Sequence, residues 1–250
     1  MSELLPREDI IRSAYDNLWS IPCNTSDSPN QSRLAMSRRI VECIRALNGK
    51  CVVANVGSGP LAVELNVAQT LAQKPHREVK RQFNENGRYY SLDLSAIRSK
   101  TVAKVTQRMP LFHVQANVTG IPYTDKSIDV LVANHSFDML GVKSPEFNKG
   151  LEEVKRVLKP GGLFLANFHH ASLAEYFAKR IDEGLIQHSP SSHLAQFYDP
   201  TLENPYFEVE ADIQLRLADV GLNVDRTTLV NDTADQWWSV EASSLSSVQA

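Results

Sequence analysis

Short apolar runs alternate with helical stretches through the middle of the chain, and this alternation constrains the fold more than any other sequence feature. Strands that alternate with helices form a parallel sheet with helices on both faces, and such strands are nearly continuously apolar because both faces are buried. Two more strand patterns follow near the C-terminus, and we therefore predict a doubly wound, seven-stranded, mostly parallel α/β sheet. The predicted strands are CVVANV (51–56), RYYSLD (88–93), LFHVQA (111–116), IDVLVAN (128–134), LFLANF (163–168), NVDRTTLV and QWWSVEA.

The length of 250 residues suits a single α/β domain, residues 1–250, with additions to its sheet. Before the first strand, residues 33–47 repeat apolar side chains every three or four positions, which predicts a helix, and we assign residues 1–48 to a helical cap. The polar segment 74–88 is predicted to be a solvated excursion. After the fifth strand the alternation stops, so residues 170–206 are predicted to be an insertion or lid.

The charge balance gives no indication of a nucleic-acid partner. There are 26 Lys and Arg against 29 Asp and Glu, a formal net charge of −3. No apolar run approaches the roughly 20 residues that a membrane span requires, and the first residues carry charges where a signal peptide would be apolar. The three cysteines have no CxxC or Cys/His ligand spacing. We expect a cytoplasmic protein without membrane, nucleic-acid or metal partners, and the oligomeric state remains open.

The loop after the first strand reads NVGSGPLAVE (55–64) and has the composition of a ligand-binding turn. Glycines at 57 and 59 let the backbone adopt positive φ and approach a ligand closely. The helix that follows points its N-terminal N–H groups toward the same place, which suits a carboxylate or phosphate. Ligands of open α/β sheets bind beyond the carboxyl ends of the strands, where Asp93, Asn117 and Asn134 also fall.

Two nucleotide-binding alternatives must be weighed for this loop. A P-loop requires a lysine after its last glycine, and Leu61-Ala62 does not supply one. A dinucleotide site is harder to dismiss, because residues 57–62 satisfy GxGxxG/A. Its acidic residue is expected about 20 positions further on, whereas Asp93 lies 31 residues beyond Ala62. The polar segment 74–88 could account for the difference, so spacing alone does not decide.

Taken together, the motifs resemble the class I S-adenosylmethionine-dependent methyltransferases, in particular the small-molecule "type 11" group. The resemblance covers roughly residues 50–168. The two most specific matches are VQANVTGIPYTDKSIDVLVAN, which contains the family's "LPF.D.SFD" segment, and LEEVKRVLKPGGLFLANF, which contains its "E..RVLKPGG" helix and turn. The matching stretches are VVANVGSG, SLDLS, VQANVTGIPYTDKSIDVLVAN and LEEVKRVLKPGGLFLANF.

The resemblance implies S-adenosylmethionine as the cofactor and assigns residues to each part of it. The glycine-rich loop would lie under the methionine part, and Asn134 would close the pocket near the carboxylate or sulfonium. Asp93 would hold the ribose hydroxyls, with Leu94 against the adenine, and an aromatic face at Tyr15 could contact the sulfonium by a cation–π interaction. Asn117 and Val118 would face the adenine edge. The complete set is Tyr15, Asn55, Gly57, Ser58, Gly59, Asp93, Leu94, Asn117, Val118 and Asn134.

Three positions depart from the family pattern. Asn55 and Asn117 stand where the family usually has acids, and Leu61 stands where a third glycine is usual and is expected to narrow the loop. An Asn oxygen still accepts a hydrogen bond, although without the charge-assisted gain. The run VGSGPL is also similar to nicotianamine synthases, which transfer the aminocarboxypropyl arm of the same cofactor. These departures leave two alternatives to methyl transfer to a small molecule: a transferase or cyclase that uses that arm and releases methylthioadenosine, and a non-catalytic protein.

Three side chains are candidates for acid–base chemistry. His135 follows the fourth strand, Asp138 lies three residues further on, and His169 follows the fifth strand at the same edge. A base there could take the proton from an attacking oxygen or nitrogen. Methyl transfer does not require such a base in principle, because in-line positioning supplies much of the rate. We predict these residues, without a metal, as the catalytic candidates.

Overall fold

The computed structural model describes residues 31–59, 61–94, 99–172, 207, 209–231 and 236–245. The greater part of the predicted cap, with Tyr15, and most of the predicted insertion lie outside the described residues, as does Cys23. The six helices and seven strands of the described part are α1 (Gln31–Ala46), β1 (Val52–Val56), α2 (Ala62–Leu71), α3 (Arg77–Asn86), β2 (Arg88–Asp93), α4 (Ser99–Thr106), β3 (Leu111–Gln115), β4 (Ile128–Asn134), α5 (Pro145–Val157), β5 (Leu158–His169), α6 (Glu210–Asp219), β6 (Leu222–Asn231) and β7 (Gln236–Ser244).

The seven strands form one sheet in the order β3-β2-β1-β4-β5-β7-β6. The pairs among β1 to β5 are parallel, whereas β7 runs antiparallel to both β5 and β6. Side chains alternate between two buried layers, so that Val53 and Val132 face one layer while Ala54 and Leu131 face the other. The predicted doubly wound, mostly parallel seven-stranded fold is confirmed. Chain order reverses between β1 and β4, and this switch point is where such sheets bind ligands.

The helix α1 packs against the sheet, although the sequence predicts it as part of a cap. Met36, Ile40 and Ile44 are buried in the same core layer as Val53. The Arg39 guanidinium donates two hydrogen bonds to the Glu241 carboxylate on β7, at 2.8 and 2.7 Å. This helix is therefore an integral layer of the domain and carries its first residues to the carboxyl edge of the sheet.

The polar segment 74–88, predicted to be a solvated excursion, is a 3-10 turn followed by α3, and most of its residues are exposed or half-buried. Phe83 is fully buried and anchors the helix to the core. On the exposed face, the Arg81 guanidinium donates hydrogen bonds to Glu78 and Glu85, one turn away in either direction. Phe83 and the partly buried Val79 pack this helix against the core, and the exposed i,i+3 and i,i+4 ion pairs add only a small stabilisation.

The start of α5 and the turn after it follow the sequence signals closely. The Ser144 hydroxyl accepts a hydrogen bond from the Phe147 N–H and Pro145 begins the helix, as an N-cap and N1 pair predicts. Pairing of β4 with β5 then jumps from Ile128–Leu158 to Val130–Leu163. Residues 159–162, the predicted turn, bulge out of the ladder, with Gly161 at φ 75°.

In the described part of the chain, no helix is both long and apolar enough to cross a membrane.

Candidate functional site

The glycine-rich loop joins β1 to α2 at the switch point of the sheet. Gly57 and Gly59 have φ values of 66° and 52°, in the left-handed region that glycine adopts at low cost. A Cβ atom on Gly57 would lie 2.1 Å from the Cβ of Ser136, just after β4. Position 57 therefore favours glycine for two reasons: its backbone conformation has a positive φ, and the Ser136 side chain lies directly over it.

Asp93, at the end of β2, anchors this loop. Its Oδ2 accepts a hydrogen bond from the Gly59 N–H at 2.7 Å, and the Ser58 N–H donates to the Leu92 carbonyl at 2.9 Å. The Asp93 side chain is buried. The carboxylate assigned to the ribose thus also sets the shape of the loop, which is a role that the motif pattern does not reveal.

A pocket opens between the loop and the ends of β2, β3 and β4. It brings together five residues predicted from the sequence: Gly57, Asp93, Leu94, Asn117 and Val118. Sequence reasoning missed the rest of the lining, because the additional residues have ordinary apolar or small polar character and lie in unremarkable positions. The additional residues are Val56, Leu92, Ala116, Ser136 and Leu140.

Asn117 lines the pocket and also shapes the turn after β3. Its Oδ1 accepts a hydrogen bond from the Thr119 N–H at 3.0 Å and caps a short 3-10 turn, Val118–Gly120. Asn side chains are well suited to such local turns. An acid at this position would cap the turn equally well, so the amide keeps the loop geometry and differs from the family residue in charge.

Two of the three departures from the family pattern do not face the pocket. The Asn55 side chain is 1% exposed, and its Nδ2 donates to Glu64 Oε1 of α2 at 2.7 Å. Leu61 is 0% exposed and packs in the core beneath α2 with φ 61°. Each side chain is enclosed by the protein and neither lines the pocket, so the contact of Asn55 with the cofactor and the narrowing of the loop by Leu61 stay predictions.

The remaining predicted residues support the site from behind. Ser58 and Gly59 are buried within the turn and contribute their backbone N–H groups to its anchors. At the end of β4, Asn134 Oδ1 accepts a hydrogen bond from Asn167 Nδ2 of β5 at 2.9 Å. None of these three is among the lining residues, and their proximity to a bound ligand stays a prediction.

Beside the pocket, β4 and β5 bring His135, Asp138 and His169 together, as predicted. The two imidazole rings stack with centroids 3.9 Å apart and planes 17° apart. Asp138 Oδ2 lies 3.5 Å from His135 Nδ1 and 3.8 Å from His169 Nε2, and it accepts the His169 backbone N–H at 3.0 Å. Ser32 of α1 also reaches the cluster, since its Oγ lies 3.2 Å from His135 Nε2.

The backbone at this cluster is strained. His135 has φ 58°, a left-handed conformation that costs a non-glycine residue about 1–3 kcal/mol and persists only when its surroundings impose it. Its N–H donates to the Asn167 carbonyl at 2.9 Å, and this bond fixes the turn. Strain of this kind is concentrated at functional sites.

The same three residues place possible metal-ligating atoms within 4.8 Å of one another. An imidazole lone pair lies in the plane of its ring, however, and here the two planes are nearly parallel. Two stacked rings cannot direct their lone pairs at one ion unless one ring rotates. Each ring can still exchange a proton with a neighbouring group. The geometry therefore favours acid–base chemistry over metal binding.

Residues 72–166 match the model of the type 11 methyltransferase domain family, and this match begins after the glycine-rich loop. The chain is 30% identical over 154 residues to a phthiotriol/phenolphthiotriol dimycocerosates methyltransferase of Mycobacterium tuberculosis (strain ATCC 25177 / H37Ra). The alignment covers 60% of this chain and 48% of the relative, so the chain spans about half the length of the curated relatives that it matches.

Solved structures with the same fold include two small-molecule methyltransferases. Magnesium protoporphyrin IX methyltransferase from Synechocystis PCC 6803 with bound SAH has a TM-score of 0.59 at 14% identity, covering 95% of this chain and 97% of that one. The 1,6-didemethyltoxoflavin-N1-methyltransferase of Burkholderia thailandensis has a TM-score of 0.57 at 14% identity, with coverage of 96% and 87%. The resemblance predicted from the motifs is confirmed: the chain has the class I S-adenosylmethionine-dependent methyltransferase fold, and its residues 72–166 match a methyltransferase domain.

Proposed function

We propose that this protein is an S-adenosylmethionine-dependent methyltransferase that acts on a small molecule. The observation that carries the proposal is the pocket at the switch point, where the glycine-rich loop, Asp93 and the Asn117 turn converge. The family match over residues 72–166 and structural neighbours with bound S-adenosylmethionine or its product support this choice over a dinucleotide.

The residues present fit this cofactor. Asp93 is the acceptor for the ribose hydroxyls, and Leu94 and Val118 supply apolar surface for the adenine. The N-terminus of α2 offers a partial positive charge for the methionine carboxylate. When bound, the cofactor supplies an electrophilic methyl group on a sulfonium. The protein contributes orientation, exclusion of water and the placement of the acceptor.

The acceptor side of the site is formed by His135, Asp138 and His169. In the proposed reaction the acceptor oxygen or nitrogen forms a bond to the methyl carbon while the carbon–sulfur bond breaks. The electron pair of the broken carbon–sulfur bond stays on sulfur. The proton of the acceptor passes to one imidazole of the stacked pair. The buried Asp138 carboxylate stabilises the positive charge that this ring gains, as a positioned carboxylate does for other histidine bases.

A small-molecule acceptor is supported by the substrates in the names of the similar proteins, which are a dimycocerosate lipid, a porphyrin and a toxoflavin precursor. The alternative reaction, transfer of the aminocarboxypropyl arm, rests on the similarity of the VGSGPL run to nicotianamine synthases and on two departures from the family pattern, Asn55 and Leu61. Both side chains are enclosed away from the pocket, so the described residues give that alternative no specific support.

The deciding experiment is identification of the nucleoside product. The protein is incubated with S-adenosylmethionine and a panel of hydroxylated and amine-bearing small molecules, and the products are separated by chromatography. Acceptor-dependent S-adenosylhomocysteine is expected. Methylthioadenosine above the spontaneous background would instead indicate arm transfer, and the absence of cofactor binding by calorimetry would overturn both reactions in favour of a non-catalytic protein.

A further inference from the structure

Asn55 and Glu64 form a buried polar pair beneath the glycine-rich loop. The two residues are 1% and 0% exposed, and Asn55 Nδ2 donates to Glu64 Oε1 at 2.7 Å. Asn55 is near the end of β1, and Glu64 lies in the first turn of α2. The hydrogen bond therefore spans the loop from below and ties the strand to the helix.

Each member of the pair has a second polar atom that is buried without a hydrogen-bond partner in the described part of the chain. These atoms are Asn55 Oδ1 and Glu64 Oε2. Both are acceptors when the carboxyl is ionised, and leaving two buried acceptors without a donor destabilises the folded protein. A proton on Oε2 changes this, because the carboxyl could then donate to Asn55 Oδ1 and both atoms would be satisfied in one ring of two hydrogen bonds.

The surroundings of Glu64 favour the protonated carboxyl. Complete burial raises its pKa to about 7; the Asn55 hydrogen bond opposes this shift, and the negative charge of Asp93 adds to it. The other titratable group coupled to it is Tyr89 on β2, whose phenol is also buried with a pKa well above its usual value. Neither Asp93 nor Tyr89 offers a positive charge that would hold Glu64 ionised.

We propose that Glu64 is a positioning residue for the glycine-rich loop and acts as a neutral acid that forms a cyclic acid–amide pair with Asn55. The pair joins β1 to the first turn of α2 through side chains. The N-cap residue of α2, Leu61, makes no side-chain capping hydrogen bond, so it does not fix the start of the helix in this way. The pair also explains why residue 55 is an amide. An acid at that position would place a second carboxyl beside Glu64, whereas Asn55 complements it.

The first test uses the protein without cofactor. Because the pKa of Glu64 is raised in the folded state from 4.5 to about 7, its stabilising contribution is complete below pH 4.5 and is lost as the pH rises through about 7. The melting temperature of the wild type is expected to fall over this window. In Glu64→Gln the amide supplies both hydrogen bonds without titrating, so that part of the fall disappears, and at pH 8 the variant melts at or above the wild-type temperature.

A second variant and a spectrum keep the test decisive. Asn55→Asp is expected to melt several degrees below the wild type, with a larger deficit at pH 8 than at pH 5, because two carboxyls then compete for protons. At pH 6 the infrared spectrum of the wild type should contain the carbonyl stretch of a buried protonated acid that Glu64→Gln lacks. An unchanged pH profile in Glu64→Gln, or the absence of that band, would overturn the proposal.

The positioning role itself rests on the proposed cofactor and has its own measurement. At pH 6, Glu64→Ala is expected to weaken S-adenosylmethionine binding at least tenfold, and the conservative Glu64→Gln should recover most of that loss. Equal binding by Glu64→Ala and the wild type would show that the pair stabilises the fold without positioning the loop. If no form of the protein binds S-adenosylmethionine, the proposed function fails, while the melting and infrared results still decide the state of Glu64.

Discussion

The two halves of the site are built differently. The proposed cofactor half, at the ends of β1, β2 and β3, is held together by hydrogen bonds between backbone N–H groups and enclosed groups such as the Asp93 carboxylate. The proposed acceptor half, at the ends of β4 and β5, presents the partly exposed rings of His135 and His169 around one buried carboxylate. A rigid half suits a ligand that is the same in every turnover, and a titratable half suits the chemistry that is specific to the acceptor.

The largest effect is expected in the cofactor half, at the crossing of Gly57 and Ser136. Gly57→Ala introduces a Cβ at a position 2.1 Å from the Ser136 Cβ, at a φ of 66°. We expect the free energy of unfolding to fall by about 2–5 kcal/mol and cofactor binding to be lost. Gly120→Ala is the matched control, because its Cβ would meet no atom within 4 Å. Thermal melts and calorimetry measure both quantities, and a Gly57→Ala variant as stable as the control would refute the close crossing.

Asp93 should have the next largest effect, since it combines loop anchoring with the proposed ribose contact. Asp93→Ala is expected to weaken S-adenosylmethionine binding by roughly 1–3 kcal/mol, the cost of hydrogen bonds to a charged group. Asp93→Asn retains an acceptor for the Gly59 N–H and should lose less. Calorimetric titration of the three proteins provides the comparison, and unchanged affinity in Asp93→Ala would contradict the placement of the ribose.

In the acceptor half, Asp138→Asn tests whether the two halves function separately. The amide can still accept the His169 backbone N–H but does not stabilise a protonated imidazole, so kcat should fall about tenfold or more. The affinity for S-adenosylmethionine should stay within about twofold of the wild type. A parallel loss of cofactor affinity would show that the halves are not independent. The pH dependence of kcat, measured in both proteins, separates a lost charge from a disturbed fold.

The smallest expected effect is a difference in stability between two variants of Leu61, a residue whose left-handed backbone and buried side chain have opposite effects on stability. Leu61→Ala removes core packing and keeps the strained φ of 61°, and should lose about 2–5 kcal/mol of stability. Leu61→Gly relieves the strain, so it should be more stable than Leu61→Ala by about 0.5–1 kcal/mol after the added flexibility of glycine is subtracted. Denaturant melts resolve this difference. The reverse order would mean that the Leu61 backbone is not strained.

Much of the architecture was accessible from local sequence because local forces decide it. The burial of both faces makes parallel strands apolar, and this pattern predicts β1 to β5. The Ser144-Pro145 pair predicts the start of α5, because Ser caps the first turn of a helix and Pro suits its first position. The helix α3 was missed because a single buried ring, Phe83, carries its packing and average polarity conceals it. In the site, Ser136 and Leu140 were missed because small or apolar residues acquire a role only from what lies opposite them.

The sequence by itself determined the succession of strands and helices along the chain, the glycines of the loop and the acid at the end of β2. These are local properties, because they depend on glycine conformations and on where each strand ends. Tertiary structure decided where the unusual residues point. Asn55 and Leu61 look like changes to a binding loop, yet both turn inward, one to a buried carboxyl and the other to the core. Whether a side chain meets a ligand or a neighbour depends on residues that are distant in sequence, and only the folded chain brings those together.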